Sequence, residues 1–258
     1  MRKHIFSALC CALLAHAGWM ETLHSFTAQK REQNTKINKS IDDTKAQRAM
    51  KNALRVGMQE AIKQLGKVDG FYKNPLVKIP IPSNMQYIAD TLKRVGMGKY
   101  VEKFDLSMNR AAEEAIPETA SILYDTLKSI DTKKAKKLIF SQKENAITNY
   151  FKTHAGKELA QRIAPIIKKH MEKEQVTKYY QTIVTYYNQY GQNSYIDAAM
   201  SFMGKSNEPI KEKDLTSYVT NRALEGLFTM LAQKEKSIRT SPIARTTRTL
   251  QEVFGAIR

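Results

Sequence analysis

The fold class is decided by residues 215–238, which read LTSYVTNRALEGLFTMLAQKEKSI. The large apolar side chains of this stretch recur every three or four residues, the spacing that places them on one face of an α-helix. They are Val219, Ala223, Leu224, Leu227, Phe228 and Leu231. An apolar face this broad needs other helices to cover it. The stretch therefore predicts a long helix in an all-α protein, with Asp214 as its N-cap.

The same helical period begins at Ala49 and continues through most of the chain. It predicts helices over about 49–65, 84–95, 100–116, 117–130, 132–140, 143–153, 157–172, 174–190 and 194–204. We expect Pro117 to open the helix that follows it, Asp131 to cap the helix over 132–140, and Ser241-Pro242 to start a final helix. Because no change in composition indicates a second domain, we predict one multi-helix domain over residues 48–258.

One segment interrupts the helical pattern, because it contains three prolines in the eight residues 75–82. Proline fixes φ and lacks an N–H, so it favours extended or polyproline backbone. The apolar residues Val77, Ile79 and Ile81 alternate here, so one face of the segment can lie on a helical core. We predict an extended strap over about residues 74–82, which is the only plausible strand in the sequence.

The first 17 residues have the parts of a secretory signal peptide. A basic start with Arg2 and Lys3 precedes an apolar run of about 11 residues, roughly half the length that spans a bilayer. The run ends at Ala15-His16-Ala17, a small-x-small cleavage site. We expect cleavage after Ala17, export from the cytoplasm and no transmembrane span in the mature chain. Residues 18–47 are polar, and we predict that they form a tether.

Both cysteines, Cys10 and Cys11, lie inside the predicted signal peptide. The mature chain would then have no thiol chemistry, disulfide or cysteine-ligated metal. The histidines show no metal-ligand spacing, and the chain contains no nucleophile elbow, P-loop or dinucleotide-binding motif. We therefore assign no catalytic residue, no metal ligand and no cofactor, and we favour a non-enzymatic role.

The chain is strongly basic, with 42 Lys and Arg against 25 Asp and Glu and a net charge of +17. Such a charge is typical of nucleic-acid-binding proteins. An exported chain seldom meets nucleic acid, however, and we predict no nucleic-acid partner. Removing Arg2 and Lys3 with the signal peptide leaves a net charge of +15. We expect this charge to favour anionic lipid, cell-wall polymer or acidic protein partners.

The densest polar cluster on a predicted helix contains Asn109, Arg110, Glu113 and Glu114. One interpretation is a binding pocket in which Glu113 is an acid or base and Asn109 and Arg110 orient a ligand. The other is a structural ion pair, because Arg110 lies three and four residues before the two glutamates. Asn109, Arg110 and Glu113 are accordingly candidate binding residues.

Residues 128–143 hold six lysines and one aspartate. On the predicted helix, three of these lysines share the face opposite the apolar residues; they are Lys133, Lys136 and Lys137. A short basic amphipathic helix can rest on an anionic membrane surface, or it can simply be solvated. These three lysines are further candidate binding residues. Six of the 12 tyrosines lie in 179–195, where we favour a seam between packed helices over a recognition surface.

Three blocks of sequence carry a family resemblance. They are Leu65-Gly66-Lys67 with Asp69-Gly70-Phe71, Asn74-Pro75 and Ile79-Pro80-Ile81-Pro82; Met108-Asn109-Arg110-Ala111-Ala112-Glu113 with Pro117; and Tyr218-Val219-Thr220 with Ala223-Leu224-Glu225-Gly226-Leu227-Phe228, Glu235, Ile238-Arg239, Pro242 and Val253-Phe254-Gly255. Over about residues 49–255 the chain resembles a bacterial family known as the domain of unknown function numbered 4197. The resemblance implies an α-helical secreted or envelope protein, with no established activity, cofactor or catalytic residue.

The leading hypothesis is a periplasmic, non-catalytic protein that engages an anionic envelope component or a protein partner. Arg239, from the third block, joins the candidate binding residues. One alternative is an enzyme that uses a pocket containing Glu113, Asn109 and Arg110. Another is a helical ligand-binding protein with an apolar cavity beneath the strap.

Overall fold

The computed structural model describes residues 41–191 and 211–257, together with Ser25 and Ala28. Within these residues the chain has nine α-helices and no β-strand, which confirms the all-α single domain. The predicted signal peptide, most of the tether and the helix over 194–204 lie outside the described residues. Ile41 is buried and the first helix starts at Asp43, so the helical domain includes the last residues of the range assigned to the tether.

The helices follow one another in a simple order. They are α1 (Asp43–Leu65), α2 (Gln86–Arg94), α3 (Gly98–Glu118), α4 (Ala120–Ser129), α5 (Ala135–Ile139), α6 (Ala146–Lys173), α7 (Val176–Tyr186), α8 (Glu212–Thr240) and α9 (Arg248–Phe254). A 3₁₀ turn at Ser83–Met85 precedes α2, a π-helical turn at Tyr187–Gly191 follows α7, and a 3₁₀ turn at Pro242–Ala244 precedes α9.

The long helix α8 is the centre of the domain and packs along both α1 and α6. Its apolar face is buried as the sequence pattern predicts, and Val219, Leu227 and Leu231 are at most 1% exposed. Helix α3 packs against α6 and α7, while α9 lies against α1. One continuous apolar cluster runs through all these contacts, so the bundle has a single core.

Several predicted helix boundaries are wrong, and local capping interactions explain some of the differences. Pro117 lies in the last turn of α3 instead of opening α4, and its ring packs against Gly66. The Asp131 carboxylate accepts the backbone N–H of Lys133 at 2.8 Å, so a turn forms and α5 starts only at Ala135. The two helices predicted over 143–172 are one helix, α6, because its apolar stripe continues past Gly156.

The C-terminal boundaries also differ from the prediction. Helix α8 starts at Glu212 with Lys211 at the cap position, so Asp214 lies within its first turn. Ser241-Pro242 opens a 3₁₀ turn, not a helix. Helix α9 starts at Arg248, four residues after the end of this turn, where the Thr247 hydroxyl accepts the N–H of Leu250 at 3.3 Å.

The predicted strap is extended only in its second half, residues 78–82, and it is not a strand in the described chain. Its first half is a turn, in which the N–H groups of Val77 and Lys78 donate to the Asn74 carbonyl at 3.1 and 2.9 Å. Its prolines remove backbone donors, and no second extended segment among the described residues pairs with it. The strap lies instead against α3 and α8, where Ile79 is fully buried. The backbone groups that a neighbouring strand would satisfy therefore need side-chain partners.

Candidate functional site

Glu113 of α3 holds the 66–73 turn, the segment between α1 and the strap. Its carboxylate accepts three backbone N–H groups of this turn, from Asp69 at 3.1 Å, Phe71 at 2.9 Å and Tyr72 at 3.0 Å. Arg110, one turn earlier on α3, donates to the same carboxylate. The Glu113 side chain is only 3% exposed, so its charge is satisfied almost entirely by protein donors.

Asp69 connects this turn to Arg110 a second time. Its backbone has a φ of 67°, in the left-handed region, and its carboxylate accepts from Arg110 at 2.6 Å and from Lys73 at 2.8 Å. The hydrogen bonds from Lys73 and Arg110 hold the pKa of Asp69 below its ordinary value. Arg110 therefore bridges two carboxylates, one on its own helix and one on the turn.

Asn109 holds the strap, as Glu113 holds the 66–73 turn. Its Oδ1 accepts the N–H of Ile79 at 2.9 Å, and its Nδ2 donates to the Ile79 carbonyl at 2.9 Å and to the Asp105 carbonyl at 2.8 Å. From α8, the Tyr218 hydroxyl donates to the Pro80 carbonyl at 2.9 Å. The strap is thus held by side chains from two helices.

The space beneath the 66–73 turn and the strap is closely packed. Phe71 and Ile79 are fully buried, and Gly226 of α8 lies directly under Phe71 and Val77. A Cβ atom added at Gly226 would lie 2.7 Å from the Phe71 ring and 3.3 Å from the Cβ of Val77. Only glycine allows α8 to approach this closely, so no cavity lies at this point.

The structure brings together Asn109, Arg110 and Glu113, the three candidates on α3. Their polar atoms hold the 66–73 turn and the strap, which gives all three a structural role. Helical spacing was enough to group them. The backbone partners lie 30 to 44 residues earlier in the chain, and no pattern in the sequence pointed to them. A binding role for these residues stays a prediction.

Arg239, the candidate on α8, lies at a different junction. It donates to Glu235 at 2.8 Å, to the Ile139 carbonyl at 2.8 Å and to the Leu138 carbonyl at 3.0 Å. Its side chain is 11% exposed and its guanidinium lies 5.5 Å from the centre of the Phe254 ring. Arg239 therefore caps the last carbonyls of α5.

Glu235 caps the next helix at the same junction, and sequence reasoning did not select it as a site residue. Its carboxylate accepts the backbone N–H groups of Ile147 at 3.0 Å and Thr148 at 2.7 Å, in the first turn of α6. The Thr148 hydroxyl also donates to it at 2.7 Å. Its i,i+4 spacing from Arg239 and its place beside Arg239 in the third sequence block are the signals that could have indicated it.

The three candidate lysines lie on and just before α5. Lys133 and Lys137 are exposed and Lys136 is half-buried. None of the three forms a salt bridge with another described residue. Beneath them, Ala135 and Ile139 are buried in the core, as the amphipathic pattern predicts.

A buried histidine that sequence reasoning missed joins α6 to α3. The His170 side chain is 7% exposed, with Nδ1 3.0 Å from Glu114 and Nε2 2.9 Å from Glu118. Hydrogen bonds from Lys173 and His170 lower the pKa of Glu114, and those from Lys169 and His170 lower the pKa of Glu118.

The tyrosines of α7 form the predicted seam between helices. Tyr180 lies 6.2 Å from Phe104 between ring centres, and Tyr186 lies 4.9 Å from Tyr100. The Tyr186 and Tyr100 hydroxyls are 3.4 Å apart. These contacts join α7 to α3, so the described part of the tyrosine-rich stretch is largely internal.

The described residues contain neither a metal-binding cluster nor a membrane-spanning helix. Over 41–191 and 211–257, no group of three or more His, Asp or Glu is arranged to hold a metal ion. Over the same ranges, no helix combines the length and apolar character needed to cross a membrane.

Comparison with known proteins found one family. Its model, described as "Protein of unknown function (DUF4197)", matches residues 40–255. This match confirms the resemblance carried by the three sequence blocks. Neither the curated proteins nor the solved structures yielded a match. The description assigns no activity, so a function has to be argued from the chain's own residues.

Proposed function

The chain belongs to the DUF4197 family, and we propose that it is an exported, non-catalytic protein that binds an anionic surface of the bacterial envelope. The observation that carries the proposal is the row of lysines around α5. Export is supported by the signal-peptide pattern of residues 1–17. The non-catalytic role is supported by the α3 cluster, whose Glu113 and Asn109 are occupied by backbone groups.

The positive charge around α5 is not neutralised by neighbouring acidic groups. Of the six lysines in 128–143, only Lys128 forms a salt bridge with a described residue, to Asp125 at 2.9 Å. The one aspartate of the segment, Asp131, accepts a backbone N–H instead. Five ammonium groups are therefore available to an external anion; they belong to Lys133, Lys134, Lys136, Lys137 and Lys143.

These lysines stand on an ordered support. Ala135 and Ile139 anchor α5 in the core, and Arg239 holds its last carbonyls. Binding to a surface would therefore order lysine side chains but not the backbone, which reduces the entropy lost on association. Each lysine near an anionic membrane contributes about 1 kcal/mol.

Co-sedimentation of the full chain with phosphatidylglycerol vesicles tests the proposal. Binding at low salt should weaken as salt is raised, because the charges are exposed and screened. The triple variant Lys133→Gln, Lys136→Gln, Lys137→Gln should bind about 100-fold more weakly, from about 1 kcal/mol per lysine. Phosphatidylcholine vesicles should not bind. Isolated cell-wall sacculi, tested in parallel, distinguish lipid from wall polymer as the anionic surface.

A matched variant removes the same charge elsewhere. Lys63, Lys157 and Lys178 are exposed and form no salt bridge with any described residue. Changing these three to Gln should leave most of the binding intact. Equal losses in the two triple variants would show that net charge, not α5, governs binding. Binding that is absent at low salt, or unaffected by high salt, would refute the proposal.

Export of the chain is tested separately from binding. Cell fractionation should place the chain in the periplasm, and N-terminal sequencing of that material should start at Gly18. Recovery of uncleaved chain in the cytoplasm alone would refute this part of the proposal.

A further inference from the structure

We infer that a groove between α1 and α4 binds a single-chain amphiphile with an anionic headgroup, such as a long-chain carboxylate. The groove has a volume of about 460 Å³, which is within the usual range for small-molecule sites, about 300–1,000 Å³. It is lined by Lys51, Asn52, Arg55, Gln59, Tyr124, Leu127 and Lys128. This inference does not depend on the surface binding proposed for α5.

The floor of the groove is apolar and suits a hydrocarbon chain. Leu127 is almost fully buried at 6% exposure, and the Tyr124 ring is half-buried beside it. The methylene stems of Lys51 and Arg55 extend the apolar wall from α1, since long basic side chains pack along their stems and keep the charge at the rim. Burying a hydrocarbon chain here would be favourable at about 25 cal/mol per Å².

The basic groups of the groove come from Lys51, Arg55 and Lys128, and none of its lining residues is acidic. Asp125, next to the groove, pairs with the Lys128 ammonium at 2.9 Å, so the uncompensated charge of the rim comes from Lys51 and Arg55. The Lys51 ammonium donates to the Lys128 carbonyl at 3.0 Å, which fixes it at the C-terminal end of α4. Arg55 is exposed and has no hydrogen bond or salt bridge to any described residue. A negatively charged headgroup is the complement of this rim.

The neutral polar groups of the groove point to the same ligand. Asn52, Gln59 and Tyr124 make no hydrogen bond to another described residue, so their polar atoms can serve a headgroup. A small inorganic anion would leave the apolar floor uncovered, and a neutral hydrocarbon would leave the cations unmatched. An anionic amphiphile satisfies both parts of the groove.

Titration of the full chain with dodecanoate, below its critical micelle concentration, tests the site. Binding should be followed by calorimetry and by nuclear Overhauser contacts from the ligand chain to the Tyr124 ring and the Leu127 methyl groups. Arg55→Gln should weaken binding about fivefold, the effect of one partly exposed ion pair. Asn52→Trp should fill the groove and abolish binding, with circular dichroism confirming that the variant is folded.

Matched variants and ligands separate binding in this groove from non-specific attraction to a basic chain. Arg94→Gln, which removes an exposed arginine from α2, should bind dodecanoate as the unchanged chain does. The α5 triple variant should also retain dodecanoate binding, so failure of the surface proposal and failure of the groove are distinguishable. Dodecyl maltoside, with a neutral head, and acetate, without a chain, should both bind more weakly.

Four results of the binding experiments would overturn the inference, and a fifth concerns the oligomeric state. They are equal binding of dodecyl maltoside, equal binding of acetate, equal losses in Arg55→Gln and Arg94→Gln, and the absence of ligand contacts to Tyr124. The fifth result is a dimer that dodecanoate does not dissociate and in which Tyr124 is protected. It would place a second copy of the chain in the groove and would overturn the inference.

Discussion

The side-chain amide of Asn109 pairs with the backbone of Ile79 in both directions, accepting its N–H and donating to its carbonyl, each at 2.9 Å. A neighbouring β-strand would satisfy the same two backbone groups. Here one side chain on a helix takes the place of that strand. This explains how a proline-rich segment can stay extended on an all-helical core without leaving buried backbone groups unpaired.

Asn109→Asp should lower the free energy of unfolding by about 2–4 kcal/mol, because a carboxylate cannot donate to the carbonyls of Ile79 and Asp105 and would bring a charge into the core. Urea unfolding followed by circular dichroism measures the change. Asn149→Asp is the control, since Asn149 is exposed on α6 and its side chain bonds only to the Asn145 side chain among the described residues. Its effect should stay within about 0.5 kcal/mol, and equal losses would contradict the assigned role of Asn109.

Glu113→Gln should cost about 3–5 kcal/mol of stability, because it takes from Arg110 the more buried of its two carboxylate partners and removes a charged acceptor from the 66–73 turn. Glu225→Gln is a matched control, since Arg222 and Glu225 form an ion pair with the same i,i+3 spacing on an exposed surface. Its effect should be at most about 1 kcal/mol. Hydrogen exchange should show faster exchange at Phe71 and Tyr72 in Glu113→Gln only. Protection of these amides in the variant would argue against the hydrogen bonds.

Ionised Glu114 should stabilise the folded chain near neutral pH and lose this effect in acid. Because its pKa is lowered in the folded state, its stabilising effect is complete above its ordinary value of 4.5 and is lost as the pH falls through the lower value. Glu114→Gln should therefore be less stable than the unchanged chain near neutral pH, and the difference should vanish in acid. Urea midpoints measured from about pH 7 to pH 3 test this. Glu102→Gln is the control near neutral pH, since this exposed glutamate of the same helix has no ion pair with a described residue, and it should change the stability by at most about 0.5 kcal/mol.

Gly226→Ala should destabilise the chain by about 1–3 kcal/mol, because the new methyl group meets the Phe71 ring and the steric strain exceeds any gain in helix propensity. Gly156→Ala is the matched change in α6, where an added Cβ has no neighbour closer than 4.0 Å. It should stabilise by about 0.5–1 kcal/mol. Thermal unfolding of the two variants shows directly whether each substitution raises or lowers the stability. A stabilising Gly226→Ala would contradict the close packing of the 66–73 turn on α8.

Much of the fold could be predicted because helical periodicity is a local property. The stripe around Val219 and Leu227 and the prolines of 75–82 each identify an element without reference to the rest of the chain. The wrong boundaries arose where a local signal competed with packing. Two helices were predicted over 143–153 and 157–172, but the apolar residues on either side of Gly156 face the same core and one helix continues through it.

The candidate site was predictable only as far as a single helix extends. Spacing grouped Arg110 with Glu113, but the Ile79 backbone that Asn109 holds lies 30 residues away, and periodicity does not encode such contacts. His170 illustrates the same limit, since its two carboxylate partners lie more than 50 residues earlier. Long-range hydrogen bonds depend on the packing of whole helices, which is settled only in the folded domain.

The capping of α6 by Glu235 affects the order in which parts of the chain can fold during synthesis. A chain is synthesised from its N-terminus, and the first turn of α6 emerges 88 residues before the carboxylate that satisfies it. The first N–H groups of α6 therefore lack their carboxylate partner until the last third of the protein has been made. If translation stops before Glu235, the released chain contains the whole of α6 but lacks the carboxylate that caps its first turn.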